Sequence, residues 1–387
     1  MTKLGLFLFI GFAGMLVGCS TGSSQFSSSR MDYNQALQET EQKELLLNIV
    51  RLRYNEPPAF LQVTGISSQF EFTSELLIGG ETDGDGRLEV FSPEAAISFS
   101  SRPTVTFSPQ QEKEFTRQIM APVGPETLYR LIEYGWGLER VFGLMVRRIN
   151  DVGTQVGLER EALEVPTEQL DVFKKLGLWQ RTHQLELALV SRSVGVLDGY
   201  FIHELGLDDL TALREKGYGL IREEAGYTLT EEKESLELIV SAPLAGSAGW
   251  LSLADRLNLD GQAGTYKIDP VRKNQQNSFQ LTVALRSPLE MMAFLSRGVS
   301  IPDSHHTDRV APDWPIPDGL EFFHVHASQQ KPTDSYLAVE HLGTWFYIPK
   351  DDLESRRTLG LMSSLIRQEV QAGGAENLPV LTLPVGR

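Results

Sequence analysis

The chain has 387 residues, 41% hydrophobic and 22% charged, with a formal net charge of −16. That balance belongs to a folded protein of one large or two modest domains, and its acidity excludes a role that tracks nucleic-acid phosphates. Cys19 is the only cysteine, which excludes intrachain disulfides and thiolate metal clusters, so the fold must rest on its apolar core, as this length allows.

The chain opens with Lys3, an apolar run from Leu4 to Val17, and the small residues Gly18-Cys19-Ser20. A basic start, a short apolar run and small residues before a cut site make a secretory signal peptide. The run is shorter than the ~20 residues of a spanning helix, and Gly11 and Gly14 interrupt it. Leu16-Val17-Gly18-Cys19 resembles the lipobox of bacterial lipoproteins. That resemblance implies removal of residues 1–18, diacylglycerol on the Cys19 sulfur, and an acyl group such as palmitate on its amine. Ser20 in place of aspartate implies, by the same resemblance, the outer membrane with the body facing the periplasm. Loss of Lys3 with the leader takes the net charge from −16 to −17.

Residues 19–30 are rich in serine and read as an acylated flexible tether of up to ~35 Å. A helix is predicted from Tyr33 to Tyr54, with Leu46, Ile49, Val50 and Arg53 on one side and Pro57-Pro58 as its stop. Arg51, Arg53 and Tyr54 are expected to fix the turn that follows by hydrogen bonds. Between Phe60 and Phe107 two long alternations follow: Phe70, Phe72, Leu76 and Ile78, then Ile97, Phe99, Val105 and Phe107. Period two gives each one apolar and one polar face, and an acidic tip around Asp83 and Asp85 joins them. The strands match the ~9–11 residues that cross an outer membrane, so two readings stand. Helices cover the apolar face, or the 69–107 hairpin joins those of other subunits.

Helices are predicted from Ser108 to Met120, from Pro125 to Gly135, from Pro166 to Leu176 and from Asp208 to Lys216. Leu138 to Ile149 reads as strand in its second half. Strands are expected at Leu185–Ser191, Tyr218–Glu223, Leu236–Ala242 and Phe279–Leu285, with a short helix at Leu251–Leu257. Ser287-Pro288-Leu289-Glu290 is a capping box for a helix that ends at Gly298. Beyond a surface loop from Ile301 to Gly319, strands are predicted at Phe322–Ala327, Tyr336–His341 and Thr344–Ile348, then a helix from Asp351 to Gln371 and a strand from Val380 to Val385. The fold class is α+β, a largely antiparallel or mixed sheet with packed helices, divided into a helix-plus-hairpin region at 31–155 and an α+β region at 156–387.

Catalytic signatures fail on inspection. His203-Glu204 lacks the second histidine of a zinc-protease helix, since Leu207 stands there. Ala245 stands where a nucleophile elbow around Ser247 needs glycine. Gly217-Tyr218-Gly219 lacks the third glycine of a dinucleotide loop, and Arg87 and Leu88 spoil an EF-hand at Asp83 and Asp85. Five of seven histidines lie between 305 and 341: His305, His306, His324, His326 and His341. On a strand, His324 and His326 share a face, a spacing that can chelate zinc or copper, with Asp303 or Asp308 as oxygen donors. Satisfied or surface histidines are the simpler reading.

The segments Leu45–Leu61 and Arg102–Pro109, and Trp345-Phe346-Tyr347-Ile348 with Asp351, Asp352 and Ser355, resemble those of bacterial lipoproteins to which no activity is assigned. The resemblance implies location and shape only. The sequence therefore predicts a non-enzymatic structural or binding role in the envelope. Its partners are the membrane through the lipid anchor, and an envelope protein or further copies of itself. Neither cofactor nor nucleic acid is expected. The alternatives are a metal-dependent hydrolase built on the histidines and an assembly or export component built on the hairpin.

Overall fold

A computed structural model describes residues 21–82, 88–109, 113–153, 167–197, 207–223, 226–270, 277–312, 314, 320–371 and 381–384. Helices and mixed sheets alternate in an α+β fold, as predicted. Contacts divide the described residues into two units. The larger gathers those up to Pro58 and from Gln118 to Val370, and the smaller those of Ala59–Arg117 and Gln371–Arg387. The division brackets the hairpin, because the first helix and residues 118–153 belong to one unit with the later elements.

That helix runs Thr21–Arg53, 33 residues or ~50 Å. Residues from Thr21 to Arg30 are helical, not the flexible tether their serines suggest. Once the well-packed C-terminal turns have nucleated the helix, each added residue gains one hydrogen bond, which offsets weak propensity. Leu45, Leu46, Ile49 and Val50 are buried, as their spacing predicts, and pack with the Pro288–Ser296 helix and the Ser335–His341 strand.

In the larger unit a seven-stranded sheet has the order Val152–Gly153, Val146–Ile149, Gln280–Leu285, Thr265–Asp269, Gly226–Val240, Leu185–Leu197, and Tyr218–Glu223 also pairs with Gly226–Val240. Its pairs are antiparallel except Thr265–Asp269 with Gln280–Leu285. The Leu138–Met145 helix passes directly into the Val146–Ile149 strand, the switch expected within that stretch. Arg286, wholly buried, donates through Nη1 to the carbonyls of Gly143 and Leu144, both at 2.9 Å, and its guanidinium lies 4.2 Å from the Phe294 ring centre. It thereby satisfies acceptors that the helix end leaves open.

A second sheet in this unit places Thr344–Pro349 between His326–Ser328 and Ser335–His341. Leu342 and Gly343, at φ 48° and 74°, form the tight turn read from the sequence. The segment from Phe322 is a strand only at its end: Glu321 and Phe322 lie in a turn, Phe323 and His324 are irregular, and Val325 bridges to Val299. The capping box closes as predicted, Ser287 Oγ accepting from Glu290 N–H at 3.1 Å and Glu290 from Ser287 N–H at 2.9 Å.

The smaller unit is built on one ladder. Leu61–Thr82 and Leu88–Pro109, 22 residues each, pair antiparallel along almost their whole length. At ~3.4 Å per residue each strand spans ~75 Å, twice the length of the alternations that revealed it. The register sets Phe70 opposite Ser101, Phe72 opposite Phe99, Leu76 opposite Ala95 and Ile78 opposite Pro93. Opposed positions share a face, so the apolar sets of both strands fall on one side and Glu71, Thr73 and Glu75, with Ser98 and Ser100, on the other. Leu381–Pro384 adds a third strand against residues 104–107.

Candidate functional site

Tyr54 brings together two of the five histidines of the 305–341 stretch, His305 and His341. The first helix ends with Asn55 in the left-handed region at φ 58°, Asn55 N–H donating to Leu52 carbonyl at 3.2 Å and Glu56 N–H to Arg51 carbonyl at 2.9 Å. This is a Schellman turn with asparagine in glycine's usual place. The turn is thus made by backbone. Arg53 instead reaches across the fold, Nε to the Val299 carbonyl at 3.3 Å and Nη2 to the Trp314 carbonyl at 3.0 Å, and is not a local brace.

The turn leaves Tyr54 only 5% exposed. Its hydroxyl lies 2.7 Å from His305 Nδ1, and its ring stands edge-on to those of His305, His341 and Phe346 at centroid distances of 5.7, 5.1 and 5.9 Å. Burial pushes the phenol up to about 12, against the pull of Arg53, so it stays protonated. His341 Nε2 lies 3.3 Å from Glu56 Oε1. Burial holds His341 below its ordinary value although Glu56 opposes the shift. A cavity of about 530 Å³ opens beside this group, lined by Tyr54, Asn55, His306, Arg309, Val310 and Pro312.

The other two histidines form a separate pair. His324 and His326 share one side, as read from the sequence, with ring centroids 4.4 Å apart. Ser300 Oγ lies 2.9 Å from His324 Nε2, the distance of a nucleophile and its base. Asp352, however, directs its carboxylate to Ser355, accepting from Oγ at 2.5 Å and from N–H at 2.9 Å as it caps the last helix. Ser355 Oγ in turn accepts from His324 N–H at 2.8 Å. The acid of a triad is therefore turned away from the imidazole. Burial and the neighbouring His326 lower the His324 value, opposed by Asp352.

The candidate ligands thus separate into His305 with His341 and His306 around Tyr54, and His324 with His326 around Ser300. Among the described residues no group of three or more His, Cys, Asp or Glu converges as a metal site would require. Asp303 and Asp308 stand at the two ends of the short Asp303–Thr307 helix. Ser247 is a helix cap, its Oγ accepting from Trp250 N–H at 3.2 Å. Cys19, the Asp83–Asp85 tip and His203-Glu204 lie outside the described residues.

A larger cleft, about 870 Å³, lies in the same unit and was not read from the sequence. The Pro125–Glu133 helix closes on Gly135 at φ 89°, with Trp136 N–H donating to the Leu131 carbonyl at 3.1 Å. That turn sets Tyr134, 79% exposed, and Trp136 at the cleft, with Phe322 opposite Gly143. The signal present in the sequence is Tyr134-Gly135-Trp136-Gly137, aromatic residues alternating with glycine.

Comparison with protein-family models, curated proteins and solved structures returns no match.

Proposed function

We propose that this chain is a lipoprotein held on the outer membrane through diacylglycerol on Cys19, with a structural, non-enzymatic role on the periplasmic side. In this reading the hairpin joins copies of the chain edge to edge. The observation that carries it is the ladder. Among the described residues the Leu61–Thr82 strand pairs with one neighbour only, and Leu88–Pro109 has a second neighbour only over residues 104–107.

Among the described residues the outer edge from Gln62 to Thr82 pairs with no third strand, and such an edge is a template for further strands. A two-stranded ribbon is marginal alone. Among its described residues the smaller unit has no helix long enough to cover such a face; beside the two strands they include the start of the Lys113–Met120 helix, the end of the last helix at Gln371 and the four residues Leu381–Pro384. Pairing the outer edge of one copy with residues 88–103 of the next is a head-to-tail contact, which closes into a ring when the rotation permits. The no-nonsense predecessor of that contact is the anchor, since three acyl chains hold a protein where copies can meet at high local concentration.

The experiment is native mass measurement of the full chain in detergent, with and without Phe72→Lys and Phe99→Lys on the shared face. A defined multimer that the two substitutions reduce to a single chain supports the reading. A wild-type chain that stays single at tens of micromolar overturns the assembly.

A further inference from the structure

We infer that the cleft between Tyr134 and Gly143 is a saccharide-binding site, for a glycan that carries at most one carboxylate per repeating unit. The inference is independent of the anchor and of the hairpin.

The lining combines two features that sugars need together. Aromatic faces come from Tyr134, Trp136 and Phe322. A tyrosine left 79% exposed costs apolar hydration and offers a flat surface to the C–H face of a pyranose ring. One guanidinium is held in place before any ligand arrives. Arg140, its side chain 14% exposed, donates to the Glu354 carboxylate, to the Glu354 carbonyl at 3.0 Å and to Thr358 Oγ1 at 2.6 Å. Arg357 reaches the same carboxylate at 3.1 Å, Arg181 reaches Glu139 at 3.4 Å, and Lys174 lies 3.7 Å from Glu321. Planar guanidinium and carboxylate groups side by side suit vicinal hydroxyls, each of which both donates and accepts.

The signs of the charges narrow the ligand further. Arg140, Lys174, Arg181 and Arg357 face Glu139, Glu321 and Glu354, one cation in excess on a chain whose net charge is −16. A polyanion meets the carboxylates, and a polycation meets the guanidiniums. A hydroxyl-rich ligand uses both signs, and the surplus cation takes one carboxylate. Glycine lets the Phe322 ring close onto the wall of the cleft: a Cβ at Gly143 would lie 3.0 Å from that ring, tighter than nine in ten real contacts. The volume of about 870 Å³ falls in the range of small-ligand sites.

The test is calorimetric titration of the full chain in detergent with four probes: an N-acetylglucosamine–N-acetylmuramic acid disaccharide, a neutral N-acetylglucosamine disaccharide, inorganic phosphate and an acidic tripeptide. At least one saccharide is expected to bind with Kd below ~1 mM, and Trp136→Ala or Tyr134→Ala is expected to weaken it about tenfold. Tyr134→Ala, at an exposed position, is expected to leave the unfolding midpoint unchanged, which separates lost binding from lost folding. Preference for the first sugar shows that the surplus cation takes a carboxylate, equal binding of the two shows that the aromatic and hydroxyl contacts suffice, and either supports the inference. Failure of both sugars to bind at ~10 mM, equal binding of phosphate or peptide, or wild-type affinity in both variants overturns it.

Discussion

Removing the Tyr54 hydroxyl separates two contributions that the structure places in one side chain. Tyr54→Phe keeps the ring against His305, His341 and Phe346 and deletes only the 2.7 Å bond to His305 Nδ1. That bond is part-buried, so its loss leaves an imidazole nitrogen that water reaches incompletely, and the expected cost is about 1 kcal/mol. Tyr54→Ala removes the ring as well. Losing a buried aromatic side chain costs about 3–5 kcal/mol, to which edge-on ring pairs contribute about 0.5–1.5 kcal/mol each. The two variants should therefore differ by about 3 kcal/mol in urea unfolding followed by tryptophan fluorescence. In a cycle with His305→Gln, the Tyr54→Phe effect should shrink by most of its value. A neutral Tyr54→Phe beside a costly Tyr54→Ala would show that no such bond forms. An undiminished effect in the cycle would show that the hydroxyl acts elsewhere.

Arg286→Met leaves the Gly143 and Leu144 carbonyls without the donor at 2.9 Å, at about 1–3 kcal/mol each, partly offset by relief of a buried charge. Chemical denaturation should show a net loss, with Arg286→Lys intermediate, and a stabilised Met variant would contradict the assigned role. His324 and His341 are both lowered from 6.5 by burial, so below that pH the unfolded chain takes up protons that the native one refuses. Stability contributed by these groups is complete above pH ~6.5 and is lost as pH falls towards their native values, so unfolding midpoints should drop from pH 7 to 5. A His324→Gln/His341→Gln protein should lose part of that slope, and an identical slope would refute the assignment.

Local chemistry made much of this fold legible. Ser287 and Glu290 sit three residues apart and need nothing distant to form their box. Gly217 at φ 80° and Leu342-Gly343 likewise mark turns by backbone demands that short stretches reveal. The Thr265–Asp269 strand escaped notice because five residues carry too little alternation, and its place in the sheet comes from its neighbours. Helicity at Thr21–Arg30 ran against serine's propensity, which continuity with a buried helix overrode. The Tyr54 group was hidden for another reason: 251 residues separate Tyr54 from His305, and no spacing rule spans that distance. The histidines were read as neighbours because they are close in sequence, yet the fold sends His305 and His341 to one cluster and His324 and His326 to another. The cleft draws on four stretches of chain, around Tyr134, Lys174, Phe322 and Glu354, of which only the aromatic-glycine run had a visible signature.

The most direct measurement is metabolic labelling with radioactive palmitate of cells that make the wild-type chain or Cys19→Ser, followed by membrane fractionation. The account predicts label and outer-membrane recovery for the wild type, and an unlabelled chain of greater mass, its leader retained, for the variant. An unlabelled wild-type chain, or a variant that is labelled as strongly, would contradict it.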